Sequence, residues 1–196
     1  MVNKEIIIIK YLIENKEKEL NINLISKNLS IDYKNLYLSI KKLEKKEIIK
    51  IENFGKSKRI KLNLEINPTI FEAEDLRKNE LLKNKNLFVM LNEIKNNLYS
   101  NFFILLLYGS YAKNKQTKKS DIDLIFIVPN KNDENFDIEI KKIIKSIPLP
   151  IHYLVFSENQ FLEMLNNNEL NVGKEAFNNN IILHGIENYY NLLKNG

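Results

Sequence analysis

The chain of 196 residues contains no cysteine, only two histidines and no long apolar run. Without cysteine the protein has no disulfides, no thiolate metal sites and no cysteine nucleophile. Its apolar runs fall well short of the roughly 20 residues of a membrane-spanning helix, and residues 6–9 are too short for the apolar part of a signal peptide. We therefore expect a cytoplasmic protein that does not contact a membrane. His152 and His184 are each predicted to be packed or hydrogen-bonded structural residues.

Apolar residues make up 44% of the chain and charged residues 28%, which is typical of folded globular proteins. The length suits two modest domains or one larger domain. The net charge of +5 is unevenly distributed, because residues 1–66 hold 15 lysines or arginines against 9 acidic residues, whereas residues 67–196 hold 15 against 16. This local excess of positive charge indicates that the first segment meets a polyanion.

The most informative segment lies between two apolar runs in the second half of the chain. Gly109 and Ser110 close the first run, residues 102–107, and Asp121 and Asp123 open the second. Alternate side chains of a strand share a face, so the two carboxylates are expected on one side of the sheet, about 7 Å apart. Like charges this close favour a bound divalent cation, and carboxylates suit hard ions such as Mg²⁺.

The Gly-Ser pair has the features of a phosphate site. Gly109 permits a tight turn and the close approach of a ligand. Ser110 offers a hydroxyl and a backbone N–H at the predicted start of a helix, where free N–H groups bind anions. A triphosphate held there would present its oxygens to a metal ion on Asp121 and Asp123.

This arrangement resembles the DNA polymerase β-like nucleotidyltransferases, and among them the small minimal nucleotidyltransferases. Their signature is an apolar strand, Gly-Ser, a spacer and a strand with Asp-x-Asp, which Gly109, Ser110, Asp121 and Asp123 match. The resemblance implies that the two aspartates are catalytic and bind Mg²⁺. It also implies a nucleoside triphosphate as substrate, bound by Gly109 and Ser110.

Two further residues belong to the expected nucleotide site. Ser120 precedes the Asp-x-Asp pair as it does in the family wording Ser-Asp-Ile-Asp-Leu. Lys113 lies between the two halves of the motif and is placed to meet the charge of a triphosphate. A solvated loop is an equally good interpretation of Lys113.

Two departures from the family pattern concern the turn and the third acid. Asn114 stands where the family usually has glycine, a mild change because asparagine tolerates left-handed turns. Active members carry a third carboxylate on a later strand, whereas the candidate strand here, residues 151–156, contains no acid. His152 or Tyr153 occupies the expected position, and Glu158, just past the strand, is a weak substitute. This departure puts catalysis in question, but not the metal–triphosphate site.

The basic first segment has the element order of a winged helix-turn-helix domain, which it resembles. In such domains the third helix reads the major groove and the hairpin, called the wing, contacts the backbone or the minor groove. The expected elements are a helix at 4–14, a second helix at 24–29 with Asn23 as its N-cap, a third helix at 33–46 buried through Leu36, Ile40 and Leu43, and strands at 48–51 and 60–64.

The third helix and the hairpin carry the residues expected to contact double-stranded DNA. Between residues 34 and 61 there are ten lysines or arginines against three glutamates. The alternative is a solvated lysine-rich surface on a winged fold used only for dimerisation or protein contact. The predicted DNA-contacting residues are Tyr33, Lys34, Asn35, Tyr37, Lys41, Lys56, Lys58 and Arg59.

The predicted fold class is α+β, in three parts. Residues 1–66 form the winged helix, residues 67–98 a linking segment of one or two helices, and residues 99–196 a nucleotidyltransferase-like domain. In this last domain we expect a small mixed sheet with helices on one side. A polar loop is predicted at 129–134, a helix at 137–146, and a helix capped by Ser157 after the strand at 151–156.

The leading functional hypothesis is transfer of a nucleoside monophosphate from a Mg²⁺-bound triphosphate to an acceptor hydroxyl, coupled to DNA binding. Minimal nucleotidyltransferases often modify a small helical toxin, so the resemblance implies an antitoxin-like role with such a partner. A homodimer is a further expectation. The first alternative is a DNA-binding transcriptional regulator that senses nucleotide without catalysis. The second is an inert interaction module, which the intact motif disfavours.

Overall fold

The computed structural model describes residues 3–55, 57–100, 102–130 and 133–195. The chain divides into two compact units, Met1–Leu76 and Arg77–Gly196. Within the described residues, no helix is both long enough and apolar enough to cross a membrane.

The first unit begins with three helices and a hairpin. Helix α1 keeps the predicted bounds. Helix α2 begins earlier than predicted, because Asn21 and not Asn23 is its N-cap: the Asn21 side chain accepts the N–H of Leu24 at 2.9 Å. The elements are α1 (Lys4–Glu14), α2 (Ile22–Leu29), α3 (Tyr33–Lys45), β1 (Ile49–Phe54) and β2 (Ser57–Leu62), followed by α4 (Pro68–Leu81).

The core of this unit contains the apolar stripe expected on α3. Leu36, Ile40 and Leu43 are completely buried, which confirms that prediction. The antiparallel strands extend further toward the turn than expected, because charged residues pair across them: Glu52 lies opposite Arg59 and accepts from Lys61 at 2.8 Å.

The second unit is a four-stranded mixed sheet with helices. The strand order is β5-β4-β3-β6; β4 and β5 are parallel, and β3 is antiparallel to both of its neighbours. This confirms the predicted mixed sheet. After α4, the elements are α5 (Lys85–Asn97), β3 (Ile104–Tyr108), α6 (Gly109–Ala112), β4 (Ile122–Val128), α7 (Asp133–Ser146), β5 (Ile151–Ser157), α8 (Glu158–Asn166), α9 (Val172–Asn178), β6 (Ile181–His184) and α10 (Ile186–Asn195).

Both faces of this sheet are buried, so the expectation of helices on one side is wrong. Leu124 and Phe126 pack into a core with residues of α5 and α7. Ile125 and Ile127 point to the opposite face and are buried as well, on the side where α8, α9 and α10 contact the strands. The reason is visible in the sequence, because strands that are apolar at nearly every position are covered on both faces.

The two helices that follow β4 and β5 begin with clear local signals. Ser157 caps α8 in a reciprocal capping box with Gln160, which confirms the predicted cap. Helix α7 begins at Asp133, inside the predicted loop. The prediction missed Phe136, which is buried and packs 5.6 Å from the Phe126 ring, and this contact holds the first turn on the sheet.

Candidate active site

Three adjacent strands bring one polar row to the same end of the sheet. In the antiparallel pair, Asp123 lies directly opposite Tyr108, the last residue of β3. In the parallel pair, Asp123 lies directly opposite His152 on β5. This row, Tyr108, Asp123 and His152, lies on the same face of the sheet as the buried Ile125, because alternate residues of a strand point the same way. The first aspartate of the pair, Asp121, is exposed and immediately precedes β4.

The two halves of the motif touch each other at Gly109. This residue has a φ of 66°, and a Cβ added to it would lie 2.3 Å from Oδ2 of Asp123. No side chain fits in that space while the carboxylate is there. Glycine is therefore required twice at this position, for the left-handed backbone and for the close approach of Asp123.

The turn after Gly109 is a single helical turn, α6, closed by backbone hydrogen bonds. The carbonyl of Gly109 accepts the N–H of Lys113 at 3.2 Å, and the carbonyl of Ser110 accepts the N–H of Lys115 at 2.9 Å. Asn114 has a φ of 53°. The departure from the family's glycine is therefore accommodated in the left-handed region, where asparagine is among the few tolerated residues.

Ser120 organises the loop before Asp121. Its hydroxyl accepts the N–H of Thr117 at 2.9 Å, and its own N–H donates to the Thr117 carbonyl at 3.1 Å. The N–H of Ile122 donates to the Pro150 carbonyl at 2.8 Å, which fixes the start of β4 beside β5. Together these bonds hold the segment that carries both aspartates.

Burial and neighbouring charges act on the Asp123 carboxyl. Burial raises the pKa of Asp123, the charges of Asp121 and Glu175 raise it further, and His152 opposes the shift. The Nδ1 atom of His152 lies 3.6 Å from Oδ1 of Asp123. Burial, followed by the charges of Asp123 and Glu175, also raises the pKa of Tyr108. At this end of the sheet the negative charges of Asp121, Asp123 and Glu175 therefore act on one another.

The third acid expected from the family pattern is absent from β5. His152 faces Asp123, whereas Tyr153 points to the other face and meets the Phe126 ring edge-on at 6.3 Å. Glu158 follows the far end of β5, roughly 20 Å from Asp123 at the rise of a strand. The suggestion of Glu158 as a substitute is therefore wrong, because parallel strands carry it away from the aspartates.

A carboxylate does reach the site, from an element that the sequence did not indicate. Glu175 lies on α9, and its Oε1 is 2.8 Å from Nζ of Lys113. Its charge also acts on Asp123 and Tyr108. Lys113 and Glu175 are 62 positions apart in the sequence, so no local pattern could have revealed the pair.

Residues 91–188 match a family model described as Polymerase beta, Nucleotidyltransferase. The chain belongs to the polymerase beta nucleotidyltransferase family. The matched segment contains the Gly109–Asp123 contact and Glu175. Comparisons with curated proteins and with solved structures gave no match.

Asp121 and Asp123 are the residues of this nucleotidyltransferase domain that could hold a metal ion. No group of three or more histidine, aspartate or glutamate side chains placed to hold an ion occurs in the described part of the chain. Two carboxylates nevertheless fit Mg²⁺, which usually takes one or two protein carboxylates and completes its shell with water and substrate phosphates. The mutual repulsion of the two aspartates supports the same fit.

The predicted DNA-contacting residues of α3 lie on its exposed face. The rings of Tyr33 and Tyr37 are stacked with centroids 6.5 Å apart, and Lys34 and Asn35 are exposed beside them. Lys41 forms an ion pair with Glu44 at 2.7 Å, so its charge is partly neutralised.

On the hairpin, Lys58 is exposed. Arg59 lies 3.8 Å from a Glu19 carboxylate. Lys56 lies outside the described residues.

Proposed function

We propose that the protein transfers a nucleoside monophosphate from a Mg²⁺-bound nucleoside triphosphate to an acceptor hydroxyl on a protein or a small molecule. The observation that carries this proposal is the contact between Gly109 and Asp123. It joins the glycine turn, Gly109–Ala112, to the acidic pair, Asp121 and Asp123. Family membership supports the same class of reaction.

Each residue of the motif has a role in this proposal. Asp121 and Asp123 would hold Mg²⁺, and Gly109 and Ser110 bind the distal phosphates at the turn beside them. When bound, the ion neutralises charge that builds up on the leaving pyrophosphate. Ser120 keeps the aspartate-bearing loop in place through its bonds to Thr117. The acceptor oxygen bonds to the α-phosphorus, and the bond from that phosphorus to the oxygen bridging the β-phosphate breaks. Pyrophosphate leaves with the bridging oxygen, and the hydroxyl proton passes to solvent.

A second candidate is nucleotide sensing without catalysis by a DNA-binding regulator. The observation that favours it is the replacement of the third acid by His152, which faces Asp123 in register. In this candidate the same residues bind Mg²⁺ and triphosphate, but the acceptor hydroxyl is not activated.

Titration calorimetry with ATP, GTP, CTP and UTP separates these candidates. Binding in Mg²⁺ that is lost in EDTA, together with pyrophosphate release on adding an acceptor, is the result expected of a transferase. Metal-dependent binding without release favours the sensor. If no triphosphate binds, neither candidate holds.

We further propose that residues 1–66 form a winged helix-turn-helix domain that binds double-stranded DNA. The order of three helices and a hairpin supports it, as does the excess of positive charge in this segment. An antitoxin-like role beside a small helical toxin and a homodimer complete the proposal. Phe88 and Val89 on α5, each about half exposed, offer apolar surface for a protein contact.

The double variant Lys34→Glu/Lys58→Glu should weaken binding to duplex DNA at least tenfold and flatten the dependence of log K on log salt. Both lysines are exposed, and each phosphate contact contributes nearly one unit to that slope. Fluorescence anisotropy at several salt concentrations measures both effects. The control is Lys141→Glu/Lys145→Glu, which makes the same charge change at exposed positions of α7. Its affinity for DNA should stay closer to that of the wild type. Wild-type binding that is absent or insensitive to salt would contradict the proposal.

A further inference from the structure

We propose that Glu175 is a positioning residue that competes with the bound triphosphate for Lys113 and so sets the affinity of the nucleotide site. This inference rests on the proposed function of that site. It adds a residue from α9, outside the glycine turn and the acidic pair.

The ion pair arises from the phosphate-binding turn itself. Lys113 is the C-cap residue of α6, and its N–H donates to the carbonyl of Gly109. Its side chain reaches across to Glu175, with 2.8 Å between Nζ and Oε1. The lysine at the end of the turn is thus held by a carboxylate.

Helix α9 is anchored so that Glu175 has a fixed place. Gly173 packs against α8 so closely that an added Cβ would lie 2.7 Å from Cβ of Met164. Before the helix, the Asn171 side chain donates to the Met164 carbonyl at 2.8 Å. After the helix, the buried Asn180 side chain donates to the Ala176 carbonyl at 2.6 Å. The pair with Lys113 therefore comes from a packed helix and not from a free loop.

The charges at the site determine the sign of the effect. Glu175 neutralises Lys113, and its own charge adds to that of Asp123 at the place where the phosphates are proposed to bind. A triphosphate must either share Lys113 with this carboxylate or displace the lysine from it. The carboxylate also repels the triphosphate. Loss of the carboxylate charge should therefore strengthen triphosphate binding, by about twofold to fivefold for a pair this exposed.

The experiment is a double-mutant cycle measured by titration calorimetry with ATP, GTP, CTP and UTP in Mg²⁺. Glu175→Gln should tighten binding about twofold to fivefold, and Lys113→Ala should weaken it. In the Lys113→Ala background, Glu175→Gln should give a much smaller gain, because the lysine that it releases is no longer there. Where turnover is measurable, Glu175→Gln should lower KM and leave kcat unchanged.

Two controls separate this effect from a general change of charge or fold. Glu163→Gln makes the same change at an exposed position of α8 and should leave the affinity unaltered. Thermal unfolding should show equal stability for Glu175→Gln and the wild type, since exposed ion pairs contribute little.

Unchanged or weaker binding by Glu175→Gln, or an equal gain in both backgrounds, would overturn the inference while the nucleotide site stands. No binding by the wild type would overturn the site and this inference together.

Discussion

Asp123→Asn is expected to weaken magnesium-dependent triphosphate binding at least 100-fold without lowering the stability of the protein. The functional loss follows because Asp123 is one of only two carboxylates proposed to hold the ion, and Mg²⁺ is held in proteins by one or two such carboxylates together with substrate phosphates. Asparagine has the same shape and still fits beside Gly109. Calorimetry with and without Mg²⁺ measures the loss.

The stability of this variant follows from the direction of the pKa shift. Burial raises the pKa of Asp123 above its ordinary value of 3.8. A group with a raised pKa in the folded state contributes stability below its ordinary pKa and loses that contribution as the pH rises through the folded pKa. At neutral pH the ionised carboxylate therefore destabilises the fold, and an uncharged residue removes this cost.

Thermal unfolding of wild type and Asp123→Asn at neutral pH and near pH 3 tests this direction. At neutral pH the variant should be as stable as the wild type or more stable, and near pH 3 this difference should shrink. Asp121→Asn is the matched comparison, because it removes the same charge from an exposed position two residues away. It should also lose binding, with a smaller effect on stability. Retention of wild-type affinity by Asp123→Asn would remove this residue from the metal site.

Local patterns predicted the parts of the fold and site that depend on neighbouring residues. The i, i+4, i+7 spacing of Leu36, Ile40 and Leu43 was sufficient to identify the buried stripe of α3, because a helix repeats every 3.6 residues. The spacing around Gly109 and Asp123 predicted a strand, a Gly-Ser turn, a short helix, a loop and a second strand. The register of β3 and β4 brings the two residues into contact.

Features that depend on tertiary packing could not be predicted in this way. Glu175 meets Lys113 only because α9 packs beside β3, and nothing in the sequence around residue 175 indicates a partner 62 positions away. Glu158 was predicted to lie near the acidic pair because it follows the strand expected to carry the third acid. The parallel pairing of β4 and β5 instead carries it to the opposite end of the sheet.

Gly109→Ala should weaken nucleotide binding at least 100-fold. The protein should lose only about 1–2 kcal/mol of stability, because alanine is strained by that amount in the left-handed region. The new methyl group would occupy the place of the Asp123 carboxylate, with 2.3 Å to Oδ2. A carboxylate at the end of a side chain can rotate away, so the fold survives. Rotation takes Asp123 out of line with Asp121, and the pair no longer holds an ion.

Two other glycines with positive φ serve as controls. They separate the effect of backbone strain from the effect of the contact with Asp123. Gly55 has a φ of 56° and nothing within 4 Å of an added Cβ, so Gly55→Ala should pay a similar strain and keep full binding. At Gly185, with a φ of 77°, an added Cβ would lie 2.8 Å from the carbonyl oxygen of Phe103, which cannot rotate away. Gly185→Ala should therefore lose the most stability and still bind nucleotide in its folded fraction.

Calorimetric titration and chemical unfolding of the three alanine variants would test this pattern together. Loss of binding confined to Gly109→Ala would locate the nucleotide site at the contact with Asp123, because the three glycines share backbone strain and differ in what an added Cβ meets. A similar loss in Gly55→Ala would instead attribute the effect to general destabilisation. Wild-type affinity in Gly109→Ala would mean that the position of the Asp123 carboxylate does not matter for nucleotide binding. That result would contradict the proposed role of the acidic pair.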